Sequence, residues 1–381
     1  MVLRAQRVAE VLRHFEVCPR IYSQGIDMAE PSLGDAPPFF EQDYLMRTTA
    51  LWLFMCLFCT SVHAQTSTSY GAMLEGFDYP YPVQRFEFET QRQRLSMAYM
   101  DVQPQTPNGK VIVLLHGKNF CGATWDSTIG VLRERGWRVV VPDQIGFCKS
   151  SKPAAYQFTL HQLAANTRAL LQKLGIEQAV IMGHSMGGML AMRFAITFPE
   201  ATQGLILVNP IGLEDWQAQG IPYQTVDQWL AGEQRTTATT IRDYQRATYY
   251  AGMWEPRFDR WVNMLAGMYA GPGREQVMWN QALASDMIFT QPVVYELPRI
   301  RAPTILFIGA KDTTAIGKAA APAAVKDRVG RYAELGPRAA QQIPDARLVM
   351  FAELGHSPQI QDPDRFHRAL VDELERMQAS H

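Results

Sequence analysis

The segment Val180–Gly188, VIMGHSMGG, sets a serine between two glycines in Gly183-His184-Ser185-Met186-Gly187. A buried apolar run, Ala179–Met182, leads into it, and Met189, Leu190, Met192 and Phe194 follow at helical spacing. The pattern is strand, sharp turn, helix. Glycines two residues before and two after the serine remove the Cβ atoms that so tight a turn would drive into neighbouring backbone. The Ser185 hydroxyl is then lifted clear of the sheet with a helix N-terminus behind it, where N–H groups and the helix dipole can stabilise an anion. Such a hydroxyl attacks only if a base within hydrogen-bond reach takes its proton.

Eight histidines are present. His14, His63 and His381 lie near the chain ends or in the apolar leader described below. His161 sits early in a helical segment, and His367 falls within the last helix, where a surface position is expected. His184 should point away from the serine beside it, and His116, before a loop glycine, is expected to orient that loop. His356 ends an apolar run in Gly355-His356-Ser357-Pro358, a turn that aims it at the site, and it is the candidate base.

The elements that would carry these residues are legible as hydrophobic patterns. Val83–Glu89 and Leu95–Val102 alternate apolar and polar residues, as in antiparallel strands with one wet face. Continuous apolar runs follow at Val111–Leu115, Val139–Val141, Ala179–Met182, Leu205–Val208, Thr304–Ile308 and Leu348–Phe351. Amphipathic helices are expected at Trp125–Arg135, Leu160–Leu174, Met189–Phe198 and Asp364–Met377. The predicted class is α/β: a mostly parallel, doubly wound sheet in which ligands collect at the carboxyl ends of the strands.

With Leu114-Leu-His-Gly117, Pro142-Asp-Gln-Ile-Gly146, Gly183-His-Ser-Met-Gly-Gly188, Gly309-Ala-Lys-Asp312 and Leu354-Gly-His356 in this order, the chain resembles the α/β-hydrolase superfamily over Val83–Met377. The resemblance implies a Ser185, Asp312, His356 triad, with Asp312 the orienting carboxylate after the penultimate strand. Glu214 and Asp215, a few residues beyond the earlier strand, are the less favoured acids, and Asp143 is read as structural, bonding turn amides. An oxyanion hole would combine the backbone N–H of Met186 with that of Lys118 or Asn119. Relatives that open epoxides or carbon–halogen bonds carry aspartate at the position of Ser185, so those activities are not expected.

About ninety residues without strand signal separate Pro210 from Pro303, where the superfamily inserts a helical cap. Their aromatics include Trp216, Tyr250 and Trp254, the candidate substrate contacts; most of the others are expected to form the cap's own core. A smaller helical insertion, Ala319–Val329 and Arg331–Gln342, is expected between Asp312 and His356. The implied activity is ester hydrolysis on a small-molecule substrate, with no metal and no organic cofactor. Hydrolysis of C–C bonds, lactones or amides on the same triad, or ligand binding without catalysis, are the alternatives.

The 381 residues carry a net charge of −1, which gives no electrostatic footprint for nucleic acid or an anionic membrane. Met46-Arg47, the apolar run Ala50–Cys59 and small residues up to Ala64 have the three parts of a secretory signal peptide, too short to span a bilayer comfortably. The expected organisation is an upstream extension, 1–45; a signal peptide, 46–64; hydrolase core, 65–212; cap, 213–300; and core again, 301–381. Export to the periplasm or medium, with no stable membrane association after processing, follows from that reading. Of five cysteines only Cys121 and Cys148 would remain. In the superfamily's strand order their loops leave the same edge of the sheet, so a disulfide between them is expected. The oligomeric state is not legible.

Overall fold

Alternating exposure along Val83–Thr90 (β1) matches the polar and apolar alternation of its sequence. It pairs antiparallel with Gln93–Val102 (β2) across the two-residue turn Gln91-Arg92, both residues at positive φ, which fits the right-handed twist of a hairpin. The computed structural model describes residues 68–379; the expected extension 1–45 and signal peptide 46–64 lie outside them.

After the hairpin the inner strands lose their wet face and become largely apolar, while the last strand, at the edge of the sheet, stays partly exposed. Val111–Leu115 (β3), Arg138–Pro142 (β4), Ala179–His184 (β5), Thr202–Val208 (β6), Thr304–Gly309 (β7) and Ala346–Phe351 (β8) run parallel, in the sheet order β1-β2-β4-β3-β5-β6-β7-β8. Successive side chains enter opposite cores: Ile112 and Leu114 pack on one face, Val113 and Leu115 on the other. Asp126–Glu134 (α1) and the closing helix Pro363–Ala379 cover the first face through Ile129, Leu132, Phe366, Leu370 and Leu374. Each of these large side chains contributes about 1.5–3 kcal/mol by leaving water. Leu160–Lys173 (α2), Met186–Thr197 (α3) and Tyr332–Gln342 cover the second face. The two-sided covering makes the strands read as unbroken apolar runs.

Between β6 and β7 the chain forms four helices, Val226–Gln234 (α4), Ala238–Tyr244 (α5), Asp259–Ala270 (α6) and Arg274–Thr290 (α7). Thr225 and Thr237 start the first two as capping boxes. After α5 the backbone widens into a π turn, Gln245–Tyr249, a distortion that recurs at functional sites.

This helical insertion is fastened on two sides. Residues 68–77 cross α6, where Tyr70 N–H donates to Gly267 O (2.9 Å) and a Cβ on Gly271 would fall 1.7 Å from Tyr70 O. On the other side Arg257 donates to the carbonyls of Ile360 (2.6 Å) and Gln361 (2.8 Å), and the Gln361 side chain bridges Gly355 N–H and Tyr250 O. The insertion thereby grips the loop that carries His356.

Candidate active site

At the end of β5 the chain turns through Ser185 at φ 57°, ψ −120°, and α3 begins with the next residue. The glycines around it are there for space. A Cβ on Gly183 would lie 2.0 Å from Gly187 O, one on Gly187 2.1 Å from Leu115 O, and one on Gly188 2.6 Å from Pro210 Cβ. Ser185 O accepts from Gly188, Met189 and Ile211 N–H, so the strained residue is held from three directions.

His356 follows β8. Its Nδ1 donates to Asp312 Oδ2 at 2.6 Å, and both side chains are fully buried. Asp312 follows β7, accepts on Oδ1 from Thr314 N–H (2.8 Å) and receives a second bond on Oδ2 from Asn209 Nδ2 (2.9 Å). Asn209, at the end of β6 with φ 37°, also accepts Gly309 N–H at 2.9 Å. Both oxygens of the carboxylate are therefore fixed by donors. Glu214 and Asp215 are engaged elsewhere: Glu214 takes Gly330 N–H and Trp216 Nε1, and Asp215 takes Ala218 N–H and the Tyr295 hydroxyl.

With Nδ1 donating, His356 Nε2 is an acceptor; it is buried and has no hydrogen-bond partner among the described residues. His184 links nucleophile and base loops, because its Nε2–H donates to His356 O at 2.8 Å. Its ring packs against that of His356, with centroids 4.9 Å apart. Burial holds the His184 imidazole well below its ordinary pKa, and therefore neutral. His116 is neutral for the same reason: Gln144 N–H donates to its Nε2 (3.0 Å), so Nδ1–H donates to Gly117 O (2.9 Å). It orients the loop, as its position before Gly117 suggests.

That loop passes against the serine. A Cβ on Gly117 would meet Ser185 Cβ at 3.1 Å, and Phe120 N–H closes a turn onto Gly117 O. The N–H groups of Lys118 and Asn119 are left outside that turn bond, at its crest. Met186 is the first residue of α3, so its N–H has no carbonyl partner within the helix. Asp143 supports the loop from beneath, accepting Gly122 N–H (2.7 Å) and Lys149 N–H (3.0 Å) as well as the Tyr79 hydroxyl.

Three sequence expectations are corrected. Trp216, Tyr250 and Trp254 pack within the insertion: Trp216 stacks on Phe289, Tyr250 on Phe258 at 3.8 Å, and Trp254 bonds Asp259. The aromatic against the base is instead Tyr249, whose ring centroid lies 4.9 Å from that of His356 and 5.4 Å from Phe120. Neighbouring residues of a helical turn face different directions, and the π turn shifts the phase further. Cys121 and Cys148 come together but as two buried thiols, not a bridge. Each has another acceptor in the packed interior, Met264 Sδ for Cys121 and Phe120 O for Cys148. His367 is buried, not on the surface: its Nε2 pairs with Thr128 Oγ1 at 3.0 Å, joining the closing helix to α1.

Two participants escaped the sequence reading. Tyr249 presents no motif, although its hydroxyl accepts from Asn119 Nδ2 at 2.8 Å. Asn209 was visible only as a strand-end residue before proline, a position whose role depends on the strand beside it.

A serine on a strained strand-to-helix turn and an aspartate-held histidine at the strand ends of an eight-stranded, mostly parallel sheet define an α/β-hydrolase architecture. The family profile described as alpha/beta hydrolase fold matches residues 110–363, and the chain belongs to that family and is a hydrolase. A crystal structure of a probable hydrolytic enzyme from Pseudomonas aeruginosa PAO1 is similar with 60% identity and a TM-score of 0.80, covering 80% of this chain and 98% of that one. Among curated relatives, 2-hydroxy-6-oxo-6-phenylhexa-2,4-dienoate hydrolase from Comamonas testosteroni is 26% identical over 70% of this chain and 88% of its own. 2-Hydroxymuconate semialdehyde hydrolase from Pseudomonas putida is 26% identical over 77% and 97%.

Proposed function

We propose that this hydrolase cleaves carboxylic esters of small molecules through Ser185, His356 and Asp312. The observation that carries the reading is the buried His356 Nε2, unpartnered while Nδ1 is fixed on a carboxylate. Such a nitrogen takes the Ser185 proton as Oγ attacks the ester carbonyl carbon. The developing oxyanion is received by the N–H of Met186 and that of Lys118, the amide adjoining Gly117. The imidazolium, stabilised by Asp312, returns the proton to the departing alkoxide. Water then attacks the acyl-enzyme by the same relay in reverse.

C–C bond hydrolysis is the second reading, favoured by the names of the two curated relatives. The two are separated by assaying 4-nitrophenyl butanoate beside a 2-hydroxy-6-oxohexa-2,4-dienoate. Ester turnover that Ser185→Ala lowers by about 10⁴-fold or more supports the proposal; turnover of the dienoate alone replaces it. Export rests on the pattern of Met46–Ala64. Expression from Met46 in a bacterium should give a periplasmic or secreted chain beginning at or near Gln65, and an uncut cytoplasmic chain would contradict it.

A further inference from the structure

The loop from Gly117 to Gly122 passes against Ser185 and is held near both of its ends by residues distant in sequence. Near its start Lys118 Nζ donates to Glu233 Oε1 at 2.8 Å, and the Tyr269 hydroxyl donates to the other oxygen of that carboxylate. The Lys118 and Glu233 side chains are 16% and 14% exposed, so solvent screens their attraction little. At the end of the loop Gly122 N–H donates to Asp143 Oδ1 (2.7 Å), and the Tyr79 hydroxyl donates to Asp143 Oδ2 (2.6 Å). Every one of these bonds ends on a carboxylate, which makes them stronger than bonds between neutral groups.

Both routes lead to one helix of the insertion. Glu233 lies in the last turn of α4, and Tyr269, which fixes it, belongs to α6. Tyr79 ends a strap, residues 70–79, whose other end is seated on α6: Tyr70 N–H donates to Gly267 O at 2.9 Å, and a Cβ on Gly267 would fall 2.3 Å from the Tyr70 ring. Along its length Arg260 of α6 donates to Asp78 O (3.3 Å). Leu74 is fully buried and its carbonyl accepts Lys149 Nζ (3.0 Å), while Lys149 N–H donates to Asp143 Oδ2. A shift of α6 is therefore carried to the loop twice, through Glu233 to Lys118 and through the strap to Asp143.

We propose that the helical insertion sets the oxyanion loop, with Glu233 and Tyr79 as positioning residues that act through Lys118 and Asp143. Turnover is then confined to the state in which α6 is docked, because displacing it moves the amides that receive the oxyanion. This role rests on the serine-hydrolase reading above for the reaction, although the order of the loop does not depend on it. A misplaced oxyanion donor weakens binding of the transition state and leaves ground-state binding nearly as it was, so the effect belongs in kcat.

The test compares the wild type with Tyr79→Phe, which removes one hydroxyl and keeps the ring, and with Glu233→Gln. Tyr295→Phe is the control, since it removes a hydroxyl-to-carboxylate bond, to Asp215, elsewhere in the chain. Hydrogen–deuterium exchange read by mass spectrometry should show the amides of residues 117–122 exchanging about tenfold faster in Tyr79→Phe and in Glu233→Gln. With 4-nitrophenyl butanoate both variants should lose about tenfold in kcat at a nearly unchanged KM. Tyr295→Phe should match the wild type in both measurements. Exchange needs no turnover, so an enzyme inactive on esters would remove the function proposed above while exchange still decides this role. Unchanged exchange of residues 117–122, an unchanged kcat or a loss carried by KM alone in either variant, or equal losses in Tyr295→Phe, would overturn the proposal. Should Glu233→Gln fail to fold, Tyr79→Phe decides it.

Discussion

His356 is held at three of its four polar atoms. Asp312 takes Nδ1, Thr248 O takes the backbone N–H, His184 Nε2 reaches the carbonyl, and Nε2 alone is left for chemistry. Tyr249 closes the arrangement by placing its ring over the imidazole and accepting the Asn119 side chain, while its own carbonyl receives Ser357 N–H. It is a positioning residue acting through Asn119. Tyr249→Phe should therefore lower kcat by about tenfold with little change in KM, by loosening the oxyanion loop. Asn119→Ala should match it, and the double variant should be no worse than either single one. Additive losses in steady-state kinetics would show that the hydroxyl and the amide act separately. The serine turn and the histidine–aspartate pair were legible because each of the three residues sits at a strand end inside a local motif. Tyr249 was not: Tyr249 and Tyr250 are equivalent in composition, and only the phase of a π turn separates the one on the base from the one in the insertion's core.

At the scale of elements, apolar runs located the parallel strands because both faces of the sheet are covered. The helix after Ser185 begins at Met186, earlier than the apolar spacing suggested, because Gly187 and Gly188 carry no side chain to mark its first turn. Loops were the least legible. Strand order brought Cys121 and Cys148 together, but it could not say which acceptor each sulfur would find in the interior. Burial pushes the Cys148 thiol well above its usual range, so little thiolate is available to a reagent. Native protein should react with iodoacetamide at Cys121 and Cys148 only slowly, and unfolded protein should take up one equivalent at each. An unfolded, unreduced chain that takes up none at either would show that a disulfide joins them.

For the molecule as a whole, sensitivity to acid follows from histidines buried as neutral groups. His367 is lowered from 6.5 to about 4 by burial between the closing helix and α1, and His116 and His184 are lowered from the same cause. The unfolded chain binds these protons at higher pH than the folded one. Their stabilising contribution is complete above about 6.5 and is lost progressively as pH falls toward 4. Melting temperature should drop between pH 7 and pH 5, and His367→Gln should make that drop shallower; an unaltered slope would mean that carboxylates govern it.

The same large core anchors the strained serine turn, and whether that strain serves nucleophilic attack is open to direct reading with a fluorophosphonate probe. Intact mass and peptide mapping of the folded protein should give a single adduct, on Ser185, absent from Ser185→Ala and much slower in His356→Ala. No adduct on the folded wild type, or an adduct on another residue with Ser185 unmodified, would contradict a serine nucleophile activated by His356.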